Sequence, residues 1–297
     1  MHMHDTINEF RAAMRDAGIT PPDVFDADGQ LHRFHQEGDK SGSRNGYYVL
    51  HLDGRPAGVF GNWKTGLRST WAADGKRMSD TERETFSRLI EAARLKAQAE
   101  RRAEHEARAI EARSEWAAAA PADPAHPYLI RKGVKPHNLR QRGGLLIVPL
   151  FDAFGLLWNV QRIAADGSKR FKKGGRVAGL YSPIGDFTNP ATILICEGWS
   201  TGATLHEETG HPVLCAMNAG NLLPVATAAR ESWRGWTDLV ICADNDRFTV
   251  GNPGVTYATA AAKATGAKLI VPEFPDGVPG SDFNDLAMLR RKGGRHE

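Results

Sequence analysis

Five acidic residues stand where apolar runs stop or a helix begins. Glu197 follows Ile193-Leu194-Ile195-Cys196, and Asp244 and Asp246 follow Leu239-Val240-Ile241-Cys242-Ala243. Asp282 and Asp285 head the last helical stretch. A short continuous apolar run reads as a strand buried on both faces, the habit of parallel sheets. Ligands of open α/β sheets sit beyond the carboxyl ends of such strands. Glu197, Asp244 and Asp246 are therefore expected to converge on one pocket. Clustered oxygen ligands, two of them at i and i+2, suit a hard cation such as Mg²⁺, with Mn²⁺ as the alternative. Without a cation, so many carboxylates in one place repel one another. Asp282 and Asp285 read equally well as ligands or as helix caps. A metal held by carboxylates and substrate phosphates serves phosphoryl or nucleotidyl transfer. No P-loop, dinucleotide fingerprint or Ser/His/Asp order competes with that chemistry.

The elements that must position these acids alternate regularly from residue 191 onward. Strands at 193–196, 213–217, 239–243 and 268–271 are separated by helices near 200–210, 222–233 and 255–265. Such an order predicts a small parallel α/β sheet over 191–297. Ser281 is placed to cap a final helix.

Residues 120–190 differ in charge. Residues 127–190 hold 11 basic and 3 acidic side chains, a surplus of +8, against −3 for 191–297. Two strands are predicted at 144–150 and 156–163, followed by Lys169, Arg170, Lys172, Lys173 and Arg176 around Phe171. Five cations in eight residues suit contact with a phosphate backbone, and Arg142 and Arg162 extend the basic character. A plain charged hairpin is the alternative. An acidic pocket beside a basic segment is what a metal-using nucleic-acid enzyme needs.

Upstream, residues 80–119 lack Gly and Pro and read as a long charged helix, largely solvated, linking two domains. Residues 1–79 read as a helix at 5–18 and then a small β-rich domain with tight turns at Asn45-Gly46 and Asp53-Gly54. Its Tyr47, Tyr48, Phe60, Trp63 and Trp71 are interleaved with Arg33, Lys40, Arg44, Lys64 and Arg68. That mixture either binds single strands by stacking and phosphate contact or fills a small core. The predicted class is thus mixed α/β and α+β in four segments, 1–79, 80–119, 120–190 and 191–297. Cys196, Cys215 and Cys242 lie in apolar runs without a Cys-x-x-Cys pair, so buried free thiols are expected. No apolar run reaches membrane-spanning length and no signal peptide is visible, so a cytoplasmic protein without membrane contact is expected.

Glu-Gly after one strand, Asp-x-Asp after another and a later Asp pair together resemble the toprim domain of primases, topoisomerases and related nucleases. Glu197-Gly198-Trp199-Ser200-Thr201-Gly202 resembles the Glu-Gly-Tyr-Ala-Thr-Ala motif of plasmid conjugation primases and satellite-phage primase–helicases, with Trp199 and Ser200 replacing Tyr and Ala. Residues 142–185 are similar to the basic subdomain that precedes toprim in bacterial-type primases. The resemblance covers about 120–290 and is faint over 1–80. It implies Mg²⁺ ligation by Asp244 and Asp246, with Glu197 as ligand or general base and Asp282 and Asp285 completing the set. It further implies that Arg162, Lys169, Arg170, Lys172 and Lys173 contact template or triphosphate. The expected activity is primer synthesis from nucleoside triphosphates on single-stranded DNA by a mobile-element type of DNA primase, with a helicase or other replication protein as partner. A toprim nuclease and a non-catalytic single-strand-binding replication adaptor are the alternatives. The basic segment favours polymerisation over hydrolysis, and the acids argue against a mere binder. Replicative primases carry an N-terminal zinc ribbon, whereas no cysteine precedes Cys196 here. Template binding by residues 1–79 would have to do without zinc.

Overall fold

The computed structural model describes residues 3–73, 79–233, 235 and 237–293. The stretch 74–78, at the expected domain boundary, and the last four residues lie outside the described residues. The chain forms two compact units that divide between Arg101 and Arg102, inside the long helix.

The first unit begins with α1 (Met3–Asp16) and four strands, β1 (His32–Phe34), β2 (Gly46–His51), β3 (Ala57–Asn62) and β4 (Leu67–Ala72). They form one antiparallel sheet in chain order. Strand alternation sends Tyr48 and Leu50 to one face and Tyr47 and Val49 to the other. Phe10 and Met14 of α1 cover the first face, and Phe86 and Ile90 of α2 (Asp80–Ala117) cover the second. Tyr47, Tyr48 and Phe60 are only 3%, 3% and 1% exposed, so these aromatics are core rather than a stacking surface. Trp63 and Trp71 remain partly open.

In α2 the apolar stripe of the first turns fades and then resumes, because the helix serves two cores. Ala112 packs with Ile147, Leu157 and Val160 of the second unit, with Trp116 alongside. Between these ends, Arg88–Glu84, Arg102–Glu106 and Arg108–Glu111 pair along the surface, each worth a few tenths of a kcal/mol, about 0.3–0.5, in an exposed helix. The helix is therefore more than the solvated linker expected from its composition. Alanines at Ala109 and Ala112 allow close packing, which a search for large apolar residues overlooks.

The second unit continues with β5 (Ala120–Pro121), α3 (Pro127–Lys132), β6 (Arg140–Arg142), β7 (Leu145–Phe151), β8 (Leu157–Ile163) and β9 (Lys169–Phe171). These five strands make an antiparallel sheet in sequence order. Next come β10 (Ser182–Ile184), β11 (Thr192–Cys196), α4 (Trp199–Thr209), β12 (Val213–Cys215), α5 (Leu222–Ser232), β13 (Asp238–Cys242), α6 (Pro253–Thr265), β14 (Lys268–Ile270) and α7 (Phe283–Gly293). The second sheet has the order β10-β12-β11-β13-β14. Its last four strands are parallel, as predicted, while β10 adds an antiparallel edge that the sequence pattern does not mark.

Two cores flank the parallel strands. Leu194, Cys196, Val213, Cys215 and Cys242 join Trp199 and the inner face of the antiparallel sheet, including Leu146, Val148 and Ile163. Ile193, Ile195, Leu214 and Ile241 pack beneath α5 and α6. The three cysteines are free and buried. Gly202 lets α4 lie close to β12, since a Cβ there would collide with Cys215 Sγ. Gly202→Ala is expected to destabilise the protein by about 1–3 kcal/mol, seen as a lower urea midpoint. An unchanged midpoint would show that the helix can move away without cost.

Candidate active site

β11 and β13 are hydrogen-bonded neighbours, with Cys196 directly opposite Cys242. Glu197 follows the first strand and Asp244 lies two residues beyond the second, so register alone brings both to one edge. The chain leaves β11 toward β12 on one side and β13 toward β14 on the other. This is the switch point at which open α/β sheets form their ligand crevice.

The electrostatics of the pocket follow from that crowding. Asp244 is half-buried, and its Oδ1 is fully buried without a hydrogen-bond partner. Burial, then the charges of Glu197, Asp282 and Asp246, push its carboxyl up from 3.8 to about 8, against a smaller opposing pull from Lys169. Glu197 is also raised, by burial first and Asp246 next, while the Ala219 N–H and Lys169 act in the opposite direction. Asp246 is anchored, its Oδ2 accepting the Gly254 N–H at 2.9 Å. A Cβ on Gly254 would meet the main-chain oxygen of Asp244, so the head of α6 must be glycine to approach this loop.

Asn245, between the two aspartates, is the structural tie. Its N–H donates to Ser281 O at 2.6 Å, and its side-chain amide donates to Pro272 O at 3.1 Å. Its Oδ1 accepts from Asn252 Nδ2 at 2.9 Å. The loop bearing Asp244 and Asp246 is thereby fastened to the loop that leads into Asp282. Asp282, rather than Ser281, caps α7: its Oδ1 accepts the Asp285 N–H at 2.7 Å. Asp285 is engaged on both oxygens, one with the Ser281 N–H at 3.2 Å and the other with Lys132 Nζ at 3.4 Å. Asp282 perturbs both Glu197 and Asp244. Asp285 itself accepts the Ser281 N–H and pairs with Lys132, the capping and ion-pairing role that its position in the first helical turn favours.

The residues fit a divalent cation in kind. An orphaned buried carboxylate oxygen, with neighbours that hold its proton on, is what an added positive charge relieves. Among the described residues no three ligand-type side chains converge tightly enough to grip an ion as they stand. Glu197, Asp246 and Asp282 each raise the carboxyl of Asp244, and a cation would offset that like charge.

The basic run divides by strand alternation. Lys169 lies close enough to the pocket to act on both Glu197 and Asp244, and its Nζ sits 5.9 Å from the centre of the Tyr128 ring. Phe171, on the same face, packs against the core shared with the parallel sheet. Arg170 stands opposite Arg162 in register, and Arg162 and Lys172 turn to the other face. There Arg162 Nε donates to Glu115 of α2 at 2.6 Å, and Lys172 Nζ lies 3.0 Å from Glu111 and 3.7 Å from Glu115. The expected contact of Arg162 and Lys172 with template or triphosphate thus meets a competitor, because these cations are already paired. Arg176 lies over the Trp158 ring and donates to Ala178 O. Arg142 ends β6 and Lys173 follows β9, both exposed. Sequence reasoning missed Lys132, Asn245, Gly254, Glu111 and Glu115. Only the Asn252-Pro253-Gly254 turn after Asp-x-Asp carried a local signal.

In chelator, Asp244→Asn is expected to raise the unfolding temperature near pH 8. The folded state holds a proton on Asp244 that the unfolded chain releases near 3.8, so wild-type stability falls as pH rises from about 4 to about 8. The gain should vanish below about pH 4, where both states are protonated. Thermal melts across pH test this, and a variant less stable than wild type at pH 8 refutes it. Asn245→Ala should weaken Mg²⁺-induced stabilisation by roughly ten-fold in apparent affinity, with a loss of about 1–3 kcal/mol in stability from the lost buried hydrogen bonds. Melts at graded Mg²⁺ would show it; unchanged Mg²⁺ dependence would leave the tie without a role in binding.

Residues 192–293 match the family model described as Toprim domain. The chain is 37% identical over 284 residues to one DNA primase TraC of Escherichia coli, covering 91% of this chain and 27% of the relative. A second Escherichia coli DNA primase TraC is 37% identical over 283 residues, covering 90% and 19%. The chain thus spans about a quarter and a fifth of the lengths of these relatives. Among solved structures, the primase fragment of the bacteriophage T7 primase-helicase protein aligns with a TM-score of 0.41 and 13% identity, over 57% of this chain and 72% of that one. Residues 192–293, with the acids at the ends of β11 and β13, are a toprim domain.

Proposed function

We propose that this chain is the catalytic part of a DNA primase of mobile-element type, joining nucleotides from triphosphates into a short RNA primer on single-stranded DNA. The observation that carries this reading is that Glu197 and Asp244 follow adjacent strands, with Asp246, Asp282 and Lys169 of the basic sheet close enough to act on both. Carboxylates alone would repel a polyanionic substrate, so a reading in which they face nucleic acid needs both a cation and a neighbouring base. The 37% identity to the TraC primases over nine-tenths of the chain supports the same conclusion.

Asp244, Asp246, Glu197 and Asp282 would hold Mg²⁺, or Mn²⁺ in its place, which when bound neutralises phosphate charge and lowers the barrier to attack by a 3′-hydroxyl. Lys169 would orient a phosphate group of the incoming triphosphate at the rim of the pocket. Glu197, its carboxyl raised by burial and by the charge of Asp246, would take up or return a proton once the pocket is charged by its substrate. Gly254 and Asn245 would hold Asp246 and its loop in place throughout. Asp285 would keep α7 capped rather than enter the ligand set. The chain would work in the cytoplasm beside a helicase that opens the template. Among the described residues no helix is long and apolar enough to cross a membrane.

Full-length protein with single-stranded DNA, labelled ribonucleotides and Mg²⁺ should yield labelled oligomers. Asp244→Ala should abolish them, and Lys169→Ala should reduce kcat/KM by roughly ten- to a hundred-fold, the scale of one charged contact to phosphate. Arg170→Ala, on the opposite face, should have a smaller effect. Shortened DNA without oligomers would instead establish a nuclease, and binding with neither product would defeat the catalytic reading.

A further inference from the structure

The first unit carries a cleft of about 530 Å³ that lies apart from the toprim acids in sequence and within residues 31–101. Leu31, Arg33, Asn45, Trp63 and Lys64 line its sheet side. Arg94, Ala97 and Arg101 of α2 line the other, with three- and four-residue spacings that place them along one helical stripe. Trp63 is packed on one side against Tyr47, the ring centres 4.3 Å apart and the planes at 29°, while part of the indole stays open. The sheet and Tyr47 therefore hold a large flat ring rigidly at the wall of an open groove. A fixed aromatic of this kind loses little freedom when a planar ligand stacks on it.

The cations of the groove are unequal. Lys64 is paired with Asp39 at 2.6 Å, and its charge is largely spent. Arg33 donates from Nε to Arg44 O at 2.9 Å, a neutral partner that fixes the guanidinium without cancelling it. Arg94 lies 3.8 Å from Glu91 in a pair exposed on both sides, which is weak. Arg101 has no ion partner among the described residues. Three guanidinium groups thus surround one available indole, with small Ala93 and Ala97 leaving room between them. Positive charge tracking a backbone plus an aromatic platform is the physical recipe for sequence-tolerant binding of an unpaired strand. A duplex could not use the indole, because its bases are already stacked and paired.

We propose that this cleft binds single-stranded DNA, with one unpaired base against Trp63 and the flanking phosphates on Arg33, Arg94 and Arg101. The site needs no metal. It rests on the primase reading only for the choice of DNA over RNA. Arg94 and Arg101 belong to the part of α2 whose sequence suggests a solvated linker, so the cleft is invisible until the helix is laid on the sheet.

The test uses the full chain in chelator and oligo(dT) carrying one 5-iododeoxyuridine, irradiated and mapped by mass spectrometry. An adduct on Trp63 is expected. Arg94→Gln with Arg101→Gln, both exposed and thus tolerated by the fold, should weaken oligo(dT) binding roughly ten-fold and reduce the salt slope by about 1.4. Trp63→Leu should weaken binding roughly ten-fold as well, the scale of one stacked base, with melts confirming that the protein is folded. Adducts confined to residues 127–297, an unchanged salt slope, or tighter binding of oligo(rU) than of oligo(dT) would overturn the proposal. So would binding of a fluorescent Glu-rich peptide that Arg94→Gln with Arg101→Gln weakens while oligo(dT) gives no adduct on Trp63, which would assign the cleft to an acidic protein segment. Asp244→Ala should leave the Trp63 adduct in place, so failure of primer synthesis and failure of this site are separately visible.

Discussion

Like charge held close together in a partly dry place governs the second unit. Register forces Glu197 and Asp244 to adjacent strand ends, and the chain offers few groups to offset their repulsion. Those few are specific: the Ala219 N–H and the Lys169 ammonium. Asp246 gains the Gly254 N–H, which only a glycine at the head of α6 permits. The buried Oδ1 of Asp244 has no hydrogen-bond partner among the described residues. With its carboxyl pushed up to about 8, Asp244 makes the fold less stable at neutral pH than in acid.

The second organiser is the two-residue period of the strand. In the parallel sheet it sorts Ile193 and Ile195 to one core and Leu194 and Cys196 to the other. In the first unit it separates Tyr47 from Tyr48 and leaves Trp63 stacked on the side that α2 covers. In β8 and β9 it divides a block of cations into those that look toward the acids and those that look toward glutamates. Charge counted along the sequence therefore overstates the charge available at any one surface.

How legible the molecule was depended on how local its causes are. The β11–α4 and β13–α6 units could be read from apolar runs ended by acid, and their parallel pairing followed. Glu197, Asp244 and Asp246 came with them, since a strand's end is a local property. Asp282 and Asp285 could not be told apart in sequence, because two helix-start acids look alike until Lys132, 153 residues away, is seen beside one of them. The glutamates facing Arg162 and Lys172 were equally hidden, being more than forty residues upstream in a helix whose pattern resembles exposed surface. β10 was unreadable for a related reason: three residues containing a proline gain their strand character only from the edge of β12.

The hairpin joining β8 to β9 now takes on a meaning beyond its charge. Its turn is closed by the Ala164 N–H to Ser168 O and by Ser168 N–H to Asp166 Oδ1, with Gly167 at a φ of 90°. Adding or removing one residue in this turn would slip β9 by one place against β8 and turn every side chain over. Arg170 and Lys172 would then look toward the carboxylates, and Lys169 and Phe171 toward the long helix. The number of loop residues, which alters no charge at all, would rewrite which cation meets the acids.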